Sequence, residues 1–157
     1  MIKKLLFTFA FAGGILGATA QCTPESSNTN LISVPDGSQV VGTTTYFPGI
    51  TQGDIYDEVV QVYIPASVEL DGFGTVQIAN LSLDDIEGLP EGLSYDCDND
   101  DCFWNADTNG CITISGTVPT TVEDGEFILT LVMSGTAPIG ILVNEKIPKP
   151  IINTVNM

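Results

Sequence analysis

Turn chemistry constrains this chain more than any other feature. Sixteen Gly and nine Pro interrupt nearly every stretch, and between them lie short runs with β-type alternation. Val40 to Tyr46 is rich in Thr and Val and stops at Pro48-Gly49. Asp57 to Ile64 alternates, with Val60, Val62 and Ile64 on one face, and ends at Pro65. Thr75 to Leu83 alternates around Val76, Ile78 and Leu81, and Gly88-Leu89-Pro90 breaks the chain after it. Leu93 to Tyr95 and Cys111 to Ser115 flank a cysteine-rich loop. Glu126 to Met133 is the strongest run, with Phe127, Leu129, Leu131 and Met133 facing one way. No window of helical length beyond the first twenty residues holds a 3.6-residue repeat. Short strands at roughly 8–12-residue spacing, ended by Gly and Pro, predict an all-β fold, an Ig-like antiparallel β-sandwich.

The first twenty residues have a different character. Lys3 and Lys4 precede an apolar stretch from Leu5 to Ala18, and Ala18-Thr19-Ala20 is a small-x-small cleavage site. This pattern predicts a secretory signal peptide over 1–20. Gln21 stands where a lipoprotein signal needs a small residue before Cys22, so cleavage after Ala20 is expected, with no membrane insertion afterwards. The remaining plan is a polar arm at 21–39, a sandwich domain at 40–143, and a tail or last edge strand at 144–157. The product is expected to be secreted or at the cell surface, with the periplasm as an alternative.

Removing the leader sharpens the charge. The whole chain stands at −16 with 20 acidic residues. Without Lys3 and Lys4 only Lys146 and Lys149 oppose the same 20 acids, giving −18. Such a surface repels nucleic acid and anionic membranes. The apolar runs still provide for a core, which argues against disorder.

An even count of four cysteines behind an export signal reads as two disulfides among Cys22, Cys97, Cys102 and Cys111. Three connectivities are open. In each, Cys22 reaches into the cluster between Tyr95 and Ile112, tying the N-terminus to the middle of the chain. A metal–thiolate site is disfavoured, because the chain has no His and an oxidising compartment favours disulfides.

The phrase Gly88-Leu89-Pro90-Glu91-Gly92-Leu93-Ser94-Tyr95 resembles one carried by bacterial Ig-like domains related to the dystroglycan-type cadherin-like family. Ser115-Gly116-Thr117-Val118-Pro119-Thr120 is similar to that family's second phrase, and Gly125-Glu126-Phe127 to Leu131 to the strand after it. Phe47-Pro48-Gly49 to Gly53-Asp54-Ile55-Tyr56 is similar to the family's entry into its first long strand. The resemblance spans about Tyr46 to Met133 and implies a hairpin whose arms are the two phrases. The family's hairpin is usually short and cysteine-free. The expanded form from Cys97 to Cys111 is similar to exported proteins of bacteria that use type IX secretion, many of which continue into a C-terminal sorting domain. The chain ends at Met157 without one, so a shortened form is an open alternative.

Chemistry-bearing residues concentrate in the same loop. Asp96, Asp98, Asp100 and Asp107 fall at the spacing of an EF-hand-like loop and are candidate Ca2+ ligands. Asp101 stands where such a loop needs Gly, and an Asp replaces the bidentate Glu. A polar, disulfide-pinned hairpin tip is therefore the preferred reading over a calcium site. Phe103 and Trp104 are candidate ligand-binding aromatics, against the plainer reading that Trp104 packs over the disulfides. The absence of His excludes His-based catalysis, and paired cysteines provide no nucleophile. Asp107-Thr108-Asn109-Gly110 differs from an aspartic-protease phrase by an inserted Asn. Glycosidase chemistry would need two carboxylates on one concave face, which nothing in the sequence places. The sequon Asn80-Leu81-Ser82 lies in an expected strand. The reading is an exported, non-enzymatic Ig-like module for adhesion, surface structure or partner-protein binding, with no cofactor. The alternative is a calcium-assisted carbohydrate-binding module that uses the acidic loop; the partner is an extracellular protein or a glycan.

Overall fold

The computed structural model describes residues 21–42, 44–72, 74–137 and 142–155. The leader expected over 1–20, and residues 138–141 of the expected apolar run from Pro138, lie outside them. The described residues form thirteen strands: β1 Ile32–Ser33, β2 Gln39–Val41, β3 Thr44–Tyr46, β4 Ile50–Thr51, β5 Ile55–Ile64, β6 Ser67–Leu70, β7 Gly74–Gln77, β8 Asn80–Glu87, β9 Leu93–Cys97, β10 Phe103–Asn105, β11 Thr108–Thr117, β12 Gly125–Thr136 and β13 Leu142–Val155. One sheet has the order β1-β5-β11-β9. The other runs β10-β8-β12-β13-β3-β2, with β4 also on β13. Strands β6 and β7 form a separate ribbon. The orders β1-β5-β11-β9 and β8-β12-β13 are those of the two sheets of an Ig-like antiparallel sandwich. As expected, the chain is all-β.

Alternation decides which residues fill the space between the sheets. Val60, Val62 and Ile64 of β5, Ile112 and Ile114 of β11, and Leu129, Leu131 and Met133 of β12 are all buried there. Full burial of one such side chain is worth about 1.5–3 kcal/mol, so these three strands carry much of the core. The two family-like phrases do form the arms of one hairpin: β9 lies antiparallel to β11, pairing Leu93 with Gly116 and Cys97 with Ile112. Gly92 and Gly116 meet at its open end. A Cβ on Gly116 would lie 2.0 Å from the Gly92 carbonyl oxygen, and one on Gly92 would lie 2.1 Å from that of Thr117. Both have positive φ, so backbone shape and close approach together demand glycine.

Three local expectations change. The run Val40 to Tyr46 is broken at Gly42, with β2 folding back on β3. Thr75 to Leu83 is two strands, because the chain leaves the ribbon at Ile78 and Ala79. There the Ile78 N–H donates to the Ala66 carbonyl and the Ala79 N–H to that of Thr136, at 2.9 and 2.7 Å. The boundary expected at 143/144 falls inside β13, so 144–155 is neither tail nor edge. That stretch lies between antiparallel β12 and parallel β3 and β4. Pro148 and Pro150 lie within this strand, where proline ordinarily disfavours a sheet interior. The register shift between Ile128 and Thr130, opposite these prolines, shows how the ladder absorbs them.

Candidate functional site

The cysteines pair Cys22–Cys111 and Cys97–Cys102, with Cα–Cα distances of 6.0 and 5.3 Å. The first bond makes the N-terminal arm part of the sandwich. Gln61 of β5 stands opposite Cys111; its Oε1 accepts from the Glu25 N–H at 2.9 Å and its Nε2 donates to the Thr23 carbonyl at 3.3 Å. Asn109 Nδ2 donates to the Asn28 carbonyl at 2.7 Å, and β1 then pairs with β5. The expected boundary between a lead-in arm at 21–39 and a domain from 40 is therefore not a structural division. The second bond pins a tight turn from Cys97 to Cys102. Its Asn99 Oδ1 accepts from the Phe103 N–H at 2.9 Å.

The four candidate calcium ligands are drawn to different partners. Asp98 Oδ1 accepts from Trp104 Nε1 at 2.7 Å and from the Cys111 N–H at 3.1 Å. Asp107 Oδ1 accepts from the Tyr63 hydroxyl at 2.9 Å, and Asp96 Oδ1 from the Cys97 N–H at 2.9 Å. Asp100 is exposed on the turn. Among the described residues no three His, Cys, Asp or Glu side chains gather as a metal-ligating group. The physical reason lies in β10. It crosses from the hairpin to pair with β8 in the opposite sheet, so the acidic loop is not a single tip around which oxygens could converge.

Trp104 is 3% exposed and belongs to the core. Its ring lies flat on Gly110, where a Cβ would stand 2.1 Å from Nε1. The ring is closed to stacking on a ligand, which corrects the aromatic-platform candidate. Its neighbour Phe103 points the other way and is 42% exposed.

Several ionisable groups are displaced. The Tyr63 hydroxyl is raised above its usual range, first by its bond to Asp107, then by burial and that carboxylate's charge. Burial raises Tyr95, helped by Asp85 and Asp84. Burial also raises Tyr56 strongly, with Glu58 adding to it. Glu58 is itself raised, first by burial, then by Asp57 and Asp36.

Sequence patterning does not single out β2. This strand ends the larger sheet and pairs with β3. It reads Gln-Val-Val, with Val40 69% and Val41 62% exposed. Sheet edges are ordinarily guarded by shortness, charge, Pro or a bulge; β2 is short, at three residues, but carries no charge, Pro or bulge. Beside it opens a groove of about 350 Å3 lined by Val41, Tyr46, Phe47 and Pro48, with Gly37 at its rim. The Pro35–Ser38 turn, closed by a Ser38 N–H bond to the Pro35 carbonyl at 3.2 Å, leads the chain into this edge. Two adjacent apolar side chains, Val40 and Val41, immediately before Gly42 are the signal the sequence offered.

The chain matches no protein-family model, and no curated protein is similar to it. Among the described residues no helix is long and apolar enough to cross a membrane.

Proposed function

We propose that this chain is an exported, non-enzymatic Ig-like module, of the dystroglycan-type cadherin-like kind, that binds a partner protein in adhesion or surface structure. Its edge strand β2 accepts an extended segment of that partner. The observation that carries the reading is an uncharged, apolar sheet edge beside an aromatic groove. Strand addition at such an edge supplies main-chain hydrogen bonds, and a neighbouring pocket supplies side-chain selectivity. Export agrees with the leader pattern of residues 1–20 and with the two disulfides, which belong to oxidising compartments. The charge selects the partner. Two copies without the leader, each with 20 acidic residues against Lys146 and Lys149, repel one another, whereas a basic segment is attracted.

Fluorescence anisotropy with a short peptide alternating Lys and Val tests this. Binding is expected, and an alternating Glu and Val peptide is expected not to bind. Val40→Glu with Val41→Glu weakens binding of the Lys peptide although it adds negative charge. A backbone N-methylated Lys peptide, equal in charge but unable to extend the ladder, is expected to fail. Equal binding of that methylated peptide refutes strand addition.

A further inference from the structure

The outer face of the smaller sheet carries a second concavity, which shares no lining residue with the groove beside β2. It is a trough of about 600 Å3 running along β11. Strand parity fixes what it presents. Ile112 and Ile114 turn inward to the core, so Thr113, Ser115 and Thr117 turn outward and form a floor of hydroxyls. Register places Asp96 directly beside Thr113 from β9, and Asp57 directly beside Ser115 from β5. Ser94 completes the β9 wall. Cys111, two residues before Thr113, lies on the same face, and its bond to Cys22 brings the N-terminal arm to that end of the trough. No lining residue is cationic.

Thr113 sets this face apart from an ordinary acidic surface. It is only 8% exposed, and its Oγ1 is buried with no hydrogen-bond partner. A buried hydroxyl without a partner is costly, and this one stands on the floor of the trough beside the Asp96 carboxylate. A ligand donor arriving there would satisfy it. The walls ask for donors too: carboxylates only accept, and Asp96 uses Oδ1 towards the Cys97 N–H, leaving its remaining lone pairs free. Asp57 and Asp96 lie two strands and two residues apart, roughly 12 Å by ladder spacing. One ammonium cannot reach both, but a linear chain with ammonium groups at its ends can.

We propose that this trough binds a linear aliphatic polyamine. One terminal ammonium lies between Asp96 and the Thr113 hydroxyl, and the other lies at Asp57. The site is separate from the β2 edge and stands or falls independently of it.

Titration calorimetry and thermal melting of the intact, oxidised protein with spermidine test the proposal. A single site is expected, together with a rise in melting temperature that grows with ligand concentration. Butylamine, whose single ammonium reaches only one of the two carboxylates, is expected to bind at least tenfold more weakly. Thr113→Val keeps the shape and removes the orphan hydroxyl. It is expected to weaken spermidine binding about tenfold while leaving the ligand-free protein as stable as before or more so. Asp57→Asn and Asp96→Asn are each expected to weaken binding by a similar factor, and Asp71→Asn, on the separate β6–β7 ribbon, to leave it unchanged. Unaltered binding by Thr113→Val, or equal weakening by Asp71→Asn and Asp57→Asn, overturns the proposal in favour of diffuse attraction to an acidic protein.

Discussion

Removing the two disulfides one at a time separates chain entropy from local packing. Cys22–Cys111 closes a loop of sequence separation 89, and Cys97–Cys102 one of separation 5. Each joins one fully buried cysteine to one partly exposed one, so Ala replacements disturb packing to a similar degree. The loop-closure relation then gives about 4.5 kcal/mol for the long loop and about 2 kcal/mol for the short one at 25 °C. For a domain of about 135 residues, 1 kcal/mol corresponds to about 3.5 °C. Cys22→Ala with Cys111→Ala should therefore lower the melting temperature by about 16 °C, and Cys97→Ala with Cys102→Ala by about 7 °C. Guanidinium titration followed by fluorescence suits the measurement, because Trp104 is the single Trp and is buried in the core. The long-loop variant should also show a steeper denaturant dependence, since its unfolded chain is free to expand. Equal losses in the two variants, or a larger loss from Cys97 and Cys102, would refute the entropic reasoning and assign the stabilisation to local contacts.

Asp98→Ala removes the acceptor shared by Trp104 Nε1 and the Cys111 N–H; it should cost about 3 kcal/mol and red-shift the Trp emission, with Asp98→Asn recovering part of both. Gly92→Ala meets the Thr117 carbonyl oxygen at a positive φ and should cost at least about 3 kcal/mol. Gly42→Ala, with open space around it, should cost only about 1 kcal/mol, and thermal melting of the pair compares them. The raised Glu58 carboxyl gives a signed pH effect. The fold favours its protonated form, so this contribution is present below the ordinary value of 4.5 and is lost as pH rises through the higher folded value. Glu58→Gln should accordingly stabilise the protein at pH 7 and leave it unchanged below pH 4, as read by urea titration at both values.

The core strands were legible in the sequence because period-2 alternation reports burial directly. Val60, Val62, Ile64, Leu129, Leu131 and Met133 were assigned to one inward face from spacing alone, and they line the core. What the sequence did not convey was partnership between distant segments. The acidic residues at 96, 98, 100 and 107 offered a ligand set as the alternative to a polar hairpin tip because their spacing is local. Their actual partners, Trp104, Cys111 and Tyr63, depend on β10 crossing to the opposite sheet. The tail was misjudged for the converse reason. Two prolines argue against an interior strand locally, and the extra residue of β13 where its ladder with β12 shifts register makes room for them. The exposed β2 edge and the unpartnered Thr113 hydroxyl share this property, since each is defined by what does or does not lie beside it.

The position of β13 also governs when this protein can fold. This strand lies inside the larger sheet, joining β12 on one side to β3 and β4 on the other. Its parallel contacts link Thr45 to Pro150 and Ile50 to Thr154. Until β13 is in place, β12 on one side and β3 with β4 on the other are unfinished sheet borders. Closing so long a loop late in the process is slow, and the waiting borders are exposed to other chains meanwhile.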